Sequence, residues 1–392
     1  MVSFKPIYLH KIFPLNLVLV ALMLGVSACN IQGKAAKKLA EDSKLAQDSA
    51  AKKDFEGQLT FNDVTLDQAD EQGRPLWKVK SRQAVYTNNQ KTAKVQNPIG
   101  DLFQDGKLVY QVSGLEGEVQ EDGKIIFLKG NIVATDIQNG VVLRGNELEW
   151  RPQEDILIVR NQLVGNHKDV DVTAKEGRAF SRIKRIELIG QVVANSKEPI
   201  LQMRTEHLIW QMADNKMISD RPVQIDRYIN KQITDRAVGD QGEVDTKTKI
   251  ATLRKNGKLA MLEPPLDIFS NLIVWDSNAK TVVSDQQVRL FHRVQQVNLT
   301  ANKGRVDLQT KTAYLTGKVY GIGQNPPSQM RTDQMTWYLP TESFEAVGNV
   351  FYQQTDPPLR LNGPKAVGQL KDQKIVISGG NDGSRVVTEI IP

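Results

Sequence analysis

Polar and apolar residues alternate along most of the chain after residue 55, as they do in β-strands that have one buried face. The first such runs are residues 61–66 and 76–80, and a turn that contains Gly73 and Pro75 separates them. No later stretch keeps the 3.6-residue period of a helix for three turns. The pattern therefore predicts an all-β protein built from many, mostly antiparallel strands.

Asp-Gly and Asn-Gly pairs separate several of these runs, and such pairs are strong short signals for a hairpin turn. They occur at Asp105-Gly106, Asp122-Gly123, Asn139-Gly140, Asn256-Gly257 and Asp382-Gly383. We expect a hairpin turn at each of these positions.

A longer pattern recurs through the chain, in which a glycine is followed 33 residues later by a tryptophan. The four pairs are Gly117 and Trp150, Gly177 and Trp210, Gly242 and Trp275, and Gly304 and Trp337. Gly368 begins a fifth copy, and Tyr86 ends an earlier one, so the aromatic residues recur every 60 to 65 residues. Fixed spacing within this span, with length variation outside it, indicates repeated structure joined by variable loops.

Smaller features keep the same register in each copy. A leucine comes eleven residues after each of the first four glycines, and an apolar residue comes two before each aromatic residue. The leucines are Leu128, Leu188, Leu253 and Leu315, and the apolar residues are Ala84, Leu148, Leu208, Ile273 and Met335. Two residues after the leucine comes Gly130, Gly190 or Gly317, with Lys255 as the exception.

A unit of about 62 residues holds roughly four to six strands at typical strand and turn lengths. About five such units predict an elongated, twisted β-sandwich that has one apolar interior. This interior is either closed all round or open along one side as a lipid-binding groove. The candidates for its lining are Tyr86, Leu128, Leu148, Trp150, Leu188, Leu208, Trp210, Trp275 and Trp337.

The first 28 residues have the form of a secretory signal, with Lys5 and Lys11 before an apolar run at residues 15–24. Small residues then lead to Cys29, the only cysteine, an arrangement similar to a bacterial lipobox. We expect Cys29 to carry a lipid and residues 29–54 to form a tether rich in Ala and Lys. The alternative is a single transmembrane anchor at residues 12–28, which is interrupted by Pro14.

The composition and motifs exclude several classes of function. A formal charge of +6, about +4 without residues 1–28, is too mild to indicate nucleic-acid binding. No phosphate-binding loop, nucleophile elbow or metal-ligand spacing of histidines occurs. Acidic residues such as Glu147, Glu149, Glu154 and Asp155 alternate with apolar ones or fall in turns, so solvated strand faces are favoured over a glycosidase pair. We therefore expect a protein that is not an enzyme and that has no cofactor and no metal.

Several short motifs together resemble the LptC family, the periplasmic bridging component of lipopolysaccharide export. They are Phe61, Val64 and Leu66, the turn Gly73-Arg74-Pro75-Leu76-Trp77, Ala84 and Tyr86, Gly117 and Val119, and Leu128 with Gly130-Asn131-Ile132. The resemblance is specific over about residues 55–160 and continues more loosely to residue 392 as copies of a unit shared with LptA-like proteins.

The resemblance implies a V-shaped β-jellyroll that receives the acyl chains of lipopolysaccharide from an inner-membrane ABC transporter. It also implies an LptA-like periplasmic partner that joins edge to edge, and a place in the periplasm at the inner membrane. The partner-edge candidates are Phe61, Val64 and Leu66 on the transporter side, and Val386, Val387 and Ile390 on the other side. The expected organisation is a signal at 1–28, a lipidated tether at 29–54, an LptC-like jellyroll at 55–200 and further repeats at 201–392.

This chain departs from familiar members of the family in two ways. It is about twice their length, and it carries a lipobox where they have a transmembrane helix. The alternative function is therefore kept open: an anchored envelope scaffold or carbohydrate-binding lipoprotein with a closed core and exposed aromatic side chains.

Overall fold

The computed structural model describes residues 59–86, 92–120, 124–370, 374–379 and 387–389, the last three by their backbone alone. All of these residues belong to one compact unit, Gly57–Pro392. Their regular structure is β-strand apart from one 3₁₀ turn at Pro152–Glu154, which confirms the all-β prediction. The predicted signal, Cys29 and the tether at residues 29–54 lie outside the described residues.

The described chain forms 28 strands. They are β1 Thr60–Ala69, β2 Pro75–Tyr86, β3 Thr92–Gln96, β4 Ile99–Gln104, β5 Lys107–Ser113, β6 Glu116–Gln120, β7 Ile126–Asp136, β8 Val142–Arg151, β9 Ile156–Asn166, β10 Val170–Phe180, β11 Arg185–Ser196, β12 Leu201–Gln211, β13 Lys216–Ser219, β14 Val223–Ile229, β15 Gln232–Gly239, β16 Gln241–Asp245, β17 Ile250–Met261, β18 Leu266–Asp276, β19 Thr281–Ser284, β20 Val288–His292, β21 Val297–Ala301, β22 Lys303–Asp307, β23 Thr312–Gln324, β24 Pro327–Tyr338, β25 Ser343–Thr355, β26 Pro358–Gln369, β27 Lys374–Ser378 and β28 Val387–Glu389.

Six of the long strands bend at a bulge in their middle, where two consecutive residues have positive φ. In β7 these are Gly130 and Asn131, and in β17 they are Lys255 and Asn256. The remaining four bulges lie in β9, β11, β23 and β25. The glycine that recurs two residues after leucine therefore marks a bend, and Lys255 adopts the same left-handed conformation in its place. The hairpin turn predicted at Asn256-Gly257 is wrong, because this pair lies at the bulge within β17.

The bends divide the structure into two half-sheets. Each long strand gives one half to each of them: β7, for example, pairs with β6 before its bulge and with β5 after it. The short strands of the first half-sheet are β4, β5, β14, β15, β20, β21 and β28, and those of the second are β3, β6, β13, β16, β19, β22 and β27. All pairings are antiparallel, and together they link the described strands into one continuous hydrogen-bonded sheet.

The glycine that opens each repeat is required by packing on the inner face of the second half-sheet. Gly117 lies opposite Leu128, and a Cβ at Gly117 would lie 2.5 Å from Leu128 Cδ2 and 3.0 Å from the carbonyl oxygen of Phe127. At Gly304 the same atom would lie 2.8 Å from Val288 Cγ1. Protein interiors have no spare volume for such a clash, so a large side chain fills the space that glycine leaves.

The inner faces of the two half-sheets share one hydrophobic core that includes residues from Trp77 to Ala366. The elongated β-sandwich predicted from the repeats, and the β-jellyroll that the family resemblance implies, are thus confirmed. The proposed division at residue 200 stays a prediction, and strand pairing continues across it because Ser196 of β11 lies opposite Leu201 of β12.

Candidate functional site

Eight of the nine side chains predicted to line the interior are buried between the half-sheets. Leu148, Trp150 and Leu208 are fully buried, and Trp210 and Trp275 remain 4% and 3% exposed. The other buried members are Leu128, Leu188 and Trp337. Tyr86 is half-buried and its ring packs on Phe61, with the ring centroids 5.8 Å apart. The structure brings these residues to one interior, and their contact with lipid stays a prediction.

Each of the four repeated tryptophans belongs to the second half-sheet and contacts a polar or aromatic side chain from the first. Tyr110 packs edge-on against Trp150 with the ring centroids 5.8 Å apart, and His167 packs against Trp210 at 5.3 Å. The Arg227 guanidinium lies 5.6 Å from the ring centroid of Trp275, and the His292 ring lies 5.4 Å from that of Trp337. These contacts hold the half-sheets together on the side opposite the bends.

Hairpin turns of the two half-sheets also meet on that side, along a line that we call the seam. Arg182, between β10 and β11, forms two hydrogen bonds of 3.1 Å with Asp105, between β4 and β5. Asp155 accepts hydrogen bonds from the Ser181 hydroxyl and, at 2.9 Å, from the Arg182 backbone N–H. With its amide oriented to satisfy its neighbours, Gln104 donates to Asp155 at 3.1 Å across the seam. Further along, Lys311 pairs with Glu263.

A cavity of about 330 Å³ lies at the C-terminal end of the described sheet. Its apolar lining comes from both half-sheets and includes Leu299, Met335, Trp337, Phe344, Tyr352 and Ile375. The amides of Gln295, Gln329 and Gln354 also reach it. Its volume lies at the lower end of the range for small-molecule sites. A smaller void between Met203, Ile225 and their neighbours measures about 30 Å³.

The cavity lining contains polar atoms without partners. Trp337 is 1% exposed, and its Nε1–H has no hydrogen-bond acceptor in the described part of the chain. The buried Gln295 Oε1 likewise lacks a donor among the described residues. The Nε1–H groups of Trp77, Trp150 and Trp275 also lack an acceptor among the described residues, so the unpaired indole is a feature of the repeats and does not by itself mark a ligand site.

Two of the acidic residues considered in the sequence, Glu149 and Glu154, form ion pairs with Arg151. Burial alone would raise the pKa of Glu149, but hydrogen bonds from Arg160 and Arg151 outweigh it and hold this pKa below its ordinary value. A carboxyl that is kept ionised in this way is unsuited to act as a general acid. Among the described residues no group of three or more His, Cys, Asp or Glu side chains is placed to hold a metal ion.

A repeated hydroxyl was missed in the sequence. Ser81, Thr205, Ser270 and Thr332 each come five residues before the repeated aromatic residue, and Gly145 takes this place in the remaining copy. Their hydroxyls form hydrogen bonds at the bends of the sheet. The Thr205 and Ser219 hydroxyls are 2.7 Å apart, and those of Ser270 and Ser284 are 2.8 Å apart. Their fixed spacing was a usable signal. The residues that contact the tryptophans, Tyr110, His167, Arg227 and His292, gave no such signal. They precede the tryptophans by 40, 43, 48 and 45 residues, so their spacing is not fixed.

Four of the six predicted partner-edge residues lie on β1 and β28, two end strands of the described sheet. β1 pairs only with β2 among the described strands, and its alternating exposure leaves Phe61 46% exposed and Val64 and Leu66 partly buried. At the other end β28, which contains Val387, pairs with β26. Val386 and Ile390 lie outside the described residues. The part of the chain that the structure describes contains no helix that is long and apolar enough to cross a membrane.

Acid is expected to destabilise the cavity region through His292. Burial, assisted by Arg293 and opposed by Glu342, lowers the pKa of His292 below 6.5. Its Nδ1 accepts a hydrogen bond of 3.1 Å from the Gln295 N–H, which a protonated Nδ1 cannot do. The unfolded chain therefore binds the proton first, so this stability is complete above pH 6.5 and is lost as the pH falls through and below that value.

The His292→Gln variant is expected to lose less stability than the wild type between pH 7.5 and 5.5, since glutamine does not titrate. Urea unfolding at the two pH values, followed by circular dichroism, measures the difference. Equal losses in the two proteins would show that the pKa of His292 is the same in the folded and the unfolded chain.

Comparisons with known proteins were made for the sequence and for the fold. The family model for lipopolysaccharide-assembly, LptC-related proteins matches residues 17–159 and 143–256, which together span more than half of the chain. Among solved structures, the fold is similar to the crystal structure of LptH from Pseudomonas aeruginosa, which is described as the LptA homologous periplasmic component of the conserved lipopolysaccharide transport device. That similarity has 10% sequence identity and a TM-score of 0.27, and it covers 30% of this chain and 84% of LptH. A comparison with curated proteins found no match.

Proposed function

The chain belongs to the LptC-related family of lipopolysaccharide-assembly proteins, and we propose that it holds the acyl chains of lipopolysaccharide between its two half-sheets during export. In this proposal it receives lipopolysaccharide from an inner-membrane ABC transporter and passes it towards the outer membrane. The protein is a bridge component, and the transporter supplies the energy.

The observation that carries the proposal is the cavity of about 330 Å³ beside Trp337, whose lining includes a cluster of apolar side chains. It lies between the half-sheets, where its lining continues directly into the core that the repeats share. An acyl chain needs an apolar enclosure of this kind, because each methylene removed from water contributes about 0.8 kcal/mol. The amides of Gln329 and Gln354, which line the cavity, supply polar contacts for the hydroxyl or carbonyl groups near the head of such a chain.

One further feature supports a bridge. The β1 edge is unpaired among the described strands, and an unpaired edge is a template for a strand of another protein. We propose that β1 meets the transporter and that the segment around Val386, Val387 and Ile390 meets an LptA-like partner. Lipidation of Cys29 would hold the assembly at the inner membrane from the periplasmic side.

A photo-crosslinking amino acid tests the proposed interior site. We expect p-benzoylphenylalanine at Phe344 or Tyr352 to capture lipopolysaccharide in membranes that contain the full-length chain and its transporter, because both side chains line the cavity. The matched control is Tyr338, an aromatic residue next to Trp337 that is 38% exposed. Lipopolysaccharide adducts are detected by immunoblotting, with and without ATP.

Adducts at the cavity positions that exceed those at Tyr338 would support the interior site, and their dependence on ATP would support transfer from the transporter. Equal capture at all three positions, or none at Phe344 and Tyr352, would contradict it. An anchored scaffold would then be the better interpretation.

A further inference from the structure

The outer face of the first half-sheet carries an uninterrupted row of directly opposed residues. It crosses seven consecutive strands, β17, β18, β20, β21, β23, β24 and β25, at one residue each. We call it the outer row, and its residues are Lys258, Phe269, Arg289, Thr300, Tyr320, Arg331 and Phe351. Because opposed residues point to the same side, these seven side chains form one stripe on the surface.

Cations and aromatic rings alternate along this stripe. The Arg289 guanidinium lies 3.8 Å from the ring centroid of Phe269, and Lys258 Nζ lies 5.3 Å from the same ring. Arg331 lies between Tyr320 and Phe351, at 5.7 and 5.9 Å from their ring centroids. Stacking on a ring orients a guanidinium and leaves its N–H edge free to bind an anion.

No acidic residue occurs in the outer row, and two of its three cations have no carboxylate partner in the described part of the chain. Lys258 pairs with Asp267 at 3.4 Å. Arg289 and Arg331 are exposed and contact rings instead of carboxylates. The same register, followed across the rest of the first half-sheet, adds Arg204, Arg144 and Lys80 and again no acid in the row itself, although Arg204 pairs with Asp226 at 2.8 Å.

The surface is also concave at the centre of this basic part. A hollow of about 420 Å³ is lined by Phe269, Arg289 and Thr300 together with Asn256, Asn271 and Gln287, and no carboxylate lines it. It lies beside residues 285–287, the gap between the short strands β19 and β20. No strand of the described chain covers the bend of the sheet at this gap. Guanidinium, amide, hydroxyl and ring edges in one hollow match a ligand that is anionic, hydroxylated and partly apolar.

We propose that the outer row is a binding site for a linear anionic saccharide. Seven strands at about 4.8 Å spacing make the row roughly 29 Å long. The right-handed twist of a sheet, roughly 20° per strand, turns the row through roughly 120° over that length. A flat membrane meets only part of such a row, whereas a flexible saccharide chain follows all of it. The site lies outside the interior, so this proposal does not depend on the interior lipid site.

The test compares two double variants of the full-length chain that remove the same charge. Arg289→Gln/Arg331→Gln alters the outer row, and Arg254→Gln/Arg305→Gln alters two exposed arginines of the second half-sheet. The probes are a heparin decasaccharide, the saccharide released from lipopolysaccharide by mild acid, neutral dextran and inorganic polyphosphate. Vesicles that contain phosphatidylglycerol are a fifth probe. Circular dichroism melting confirms that each variant is folded.

We expect the wild type to bind the two anionic saccharides and not dextran, with affinity that falls as salt is raised. The outer-row variant should lose tenfold or more in affinity and the matched variant less than twofold. Phe351→Leu should weaken saccharide binding more than polyphosphate binding, because it removes a ring and no charge. Binding of the saccharide from lipopolysaccharide would indicate that the natural ligand is the proposed cargo. Binding of heparin alone would indicate another anionic glycan of the envelope.

Equal losses in the two double variants would overturn the proposal, since they would show that net charge alone attracts the probes. Binding to vesicles without binding to saccharides would overturn it in favour of a membrane surface. Absence of binding to every anionic probe by a folded wild type would overturn it as well. None of these outcomes bears on capture of lipopolysaccharide at Phe344 or Tyr352.

Discussion

Replacing Trp150 by alanine is expected to lower the free energy of unfolding by about 3–5 kcal/mol, the usual cost of deleting a buried aromatic side chain. Trp150 is fully buried at the end of β8, where its ring packs edge-on against Tyr110 of the opposite half-sheet. The substitution therefore removes core volume and one of the contacts that hold the half-sheets together. Urea unfolding of the full-length protein, followed by far-ultraviolet circular dichroism, measures the loss.

Two variants calibrate the result for Trp150. Trp150→Phe should lose less than half as much, since a phenylalanine ring keeps the contact with Tyr110 and the Trp150 Nε1–H has no partner to lose among the described residues. Tyr338→Ala, at an aromatic position that is 38% exposed, should cost about 1 kcal/mol or less. A loss at Trp150→Ala as small as that at Tyr338→Ala would show that the half-sheets do not depend on this contact.

Much of this architecture was predictable because the repeats obey simple steric rules. A glycine 33 residues before each tryptophan indicated a fixed pairing, and in the structure Gly117 makes room for Leu128 on the strand beside it. Alternation placed Leu148 and Trp150 on one face, and both are fully buried. Close packing and side-chain alternation act within a strand or between neighbouring strands, and they therefore leave a fixed spacing in a single sequence.

The closure of the interior was beyond the reach of the sequence, since it depends on contacts between strands that are far apart along the chain. Each of the four tryptophans is contacted from the opposite half-sheet by a different residue: Tyr110, His167, Arg227 or His292. These four residues share neither side-chain chemistry nor sequence spacing. Asn256-Gly257 was misplaced for a related reason: two residues with positive φ can turn a hairpin or bend a continuing strand, and only the pairing of β17 with β18 decides. The cavity beside Trp337 likewise arises from the meeting of both half-sheets.

The second large loss of stability is expected at the seam. Two aspartates there, Asp155 and Asp105, contact Arg182, but only Asp155 is buried. Asp155→Ala is expected to lower the free energy of unfolding by about 2–5 kcal/mol. It deprives the Ser181 hydroxyl and the Arg182 N–H of their acceptor, at about 1–3 kcal/mol for a buried group. It also places alanine at φ 52°, a left-handed conformation that costs a non-glycine residue about 1–2 kcal/mol.

Asparagine tolerates that conformation, so matched Asp→Asn variants isolate the hydrogen bonds from the backbone strain. Asp155 is 5% exposed, and Asp155→Asn should still cost about 1–3 kcal/mol because one acceptor oxygen becomes a donor that faces other donors. Asp105 has the same φ of 52° and bonds to the Arg182 side chain, but its side chain is 53% exposed. Asp105→Asn should therefore leave stability nearly unchanged, because water replaces an exposed ion pair at little cost. Urea unfolding of the three variants decides: equal effects at Asp105 and Asp155 would mean that the seam is stabilised by charge at its surface and not by the buried carboxylate.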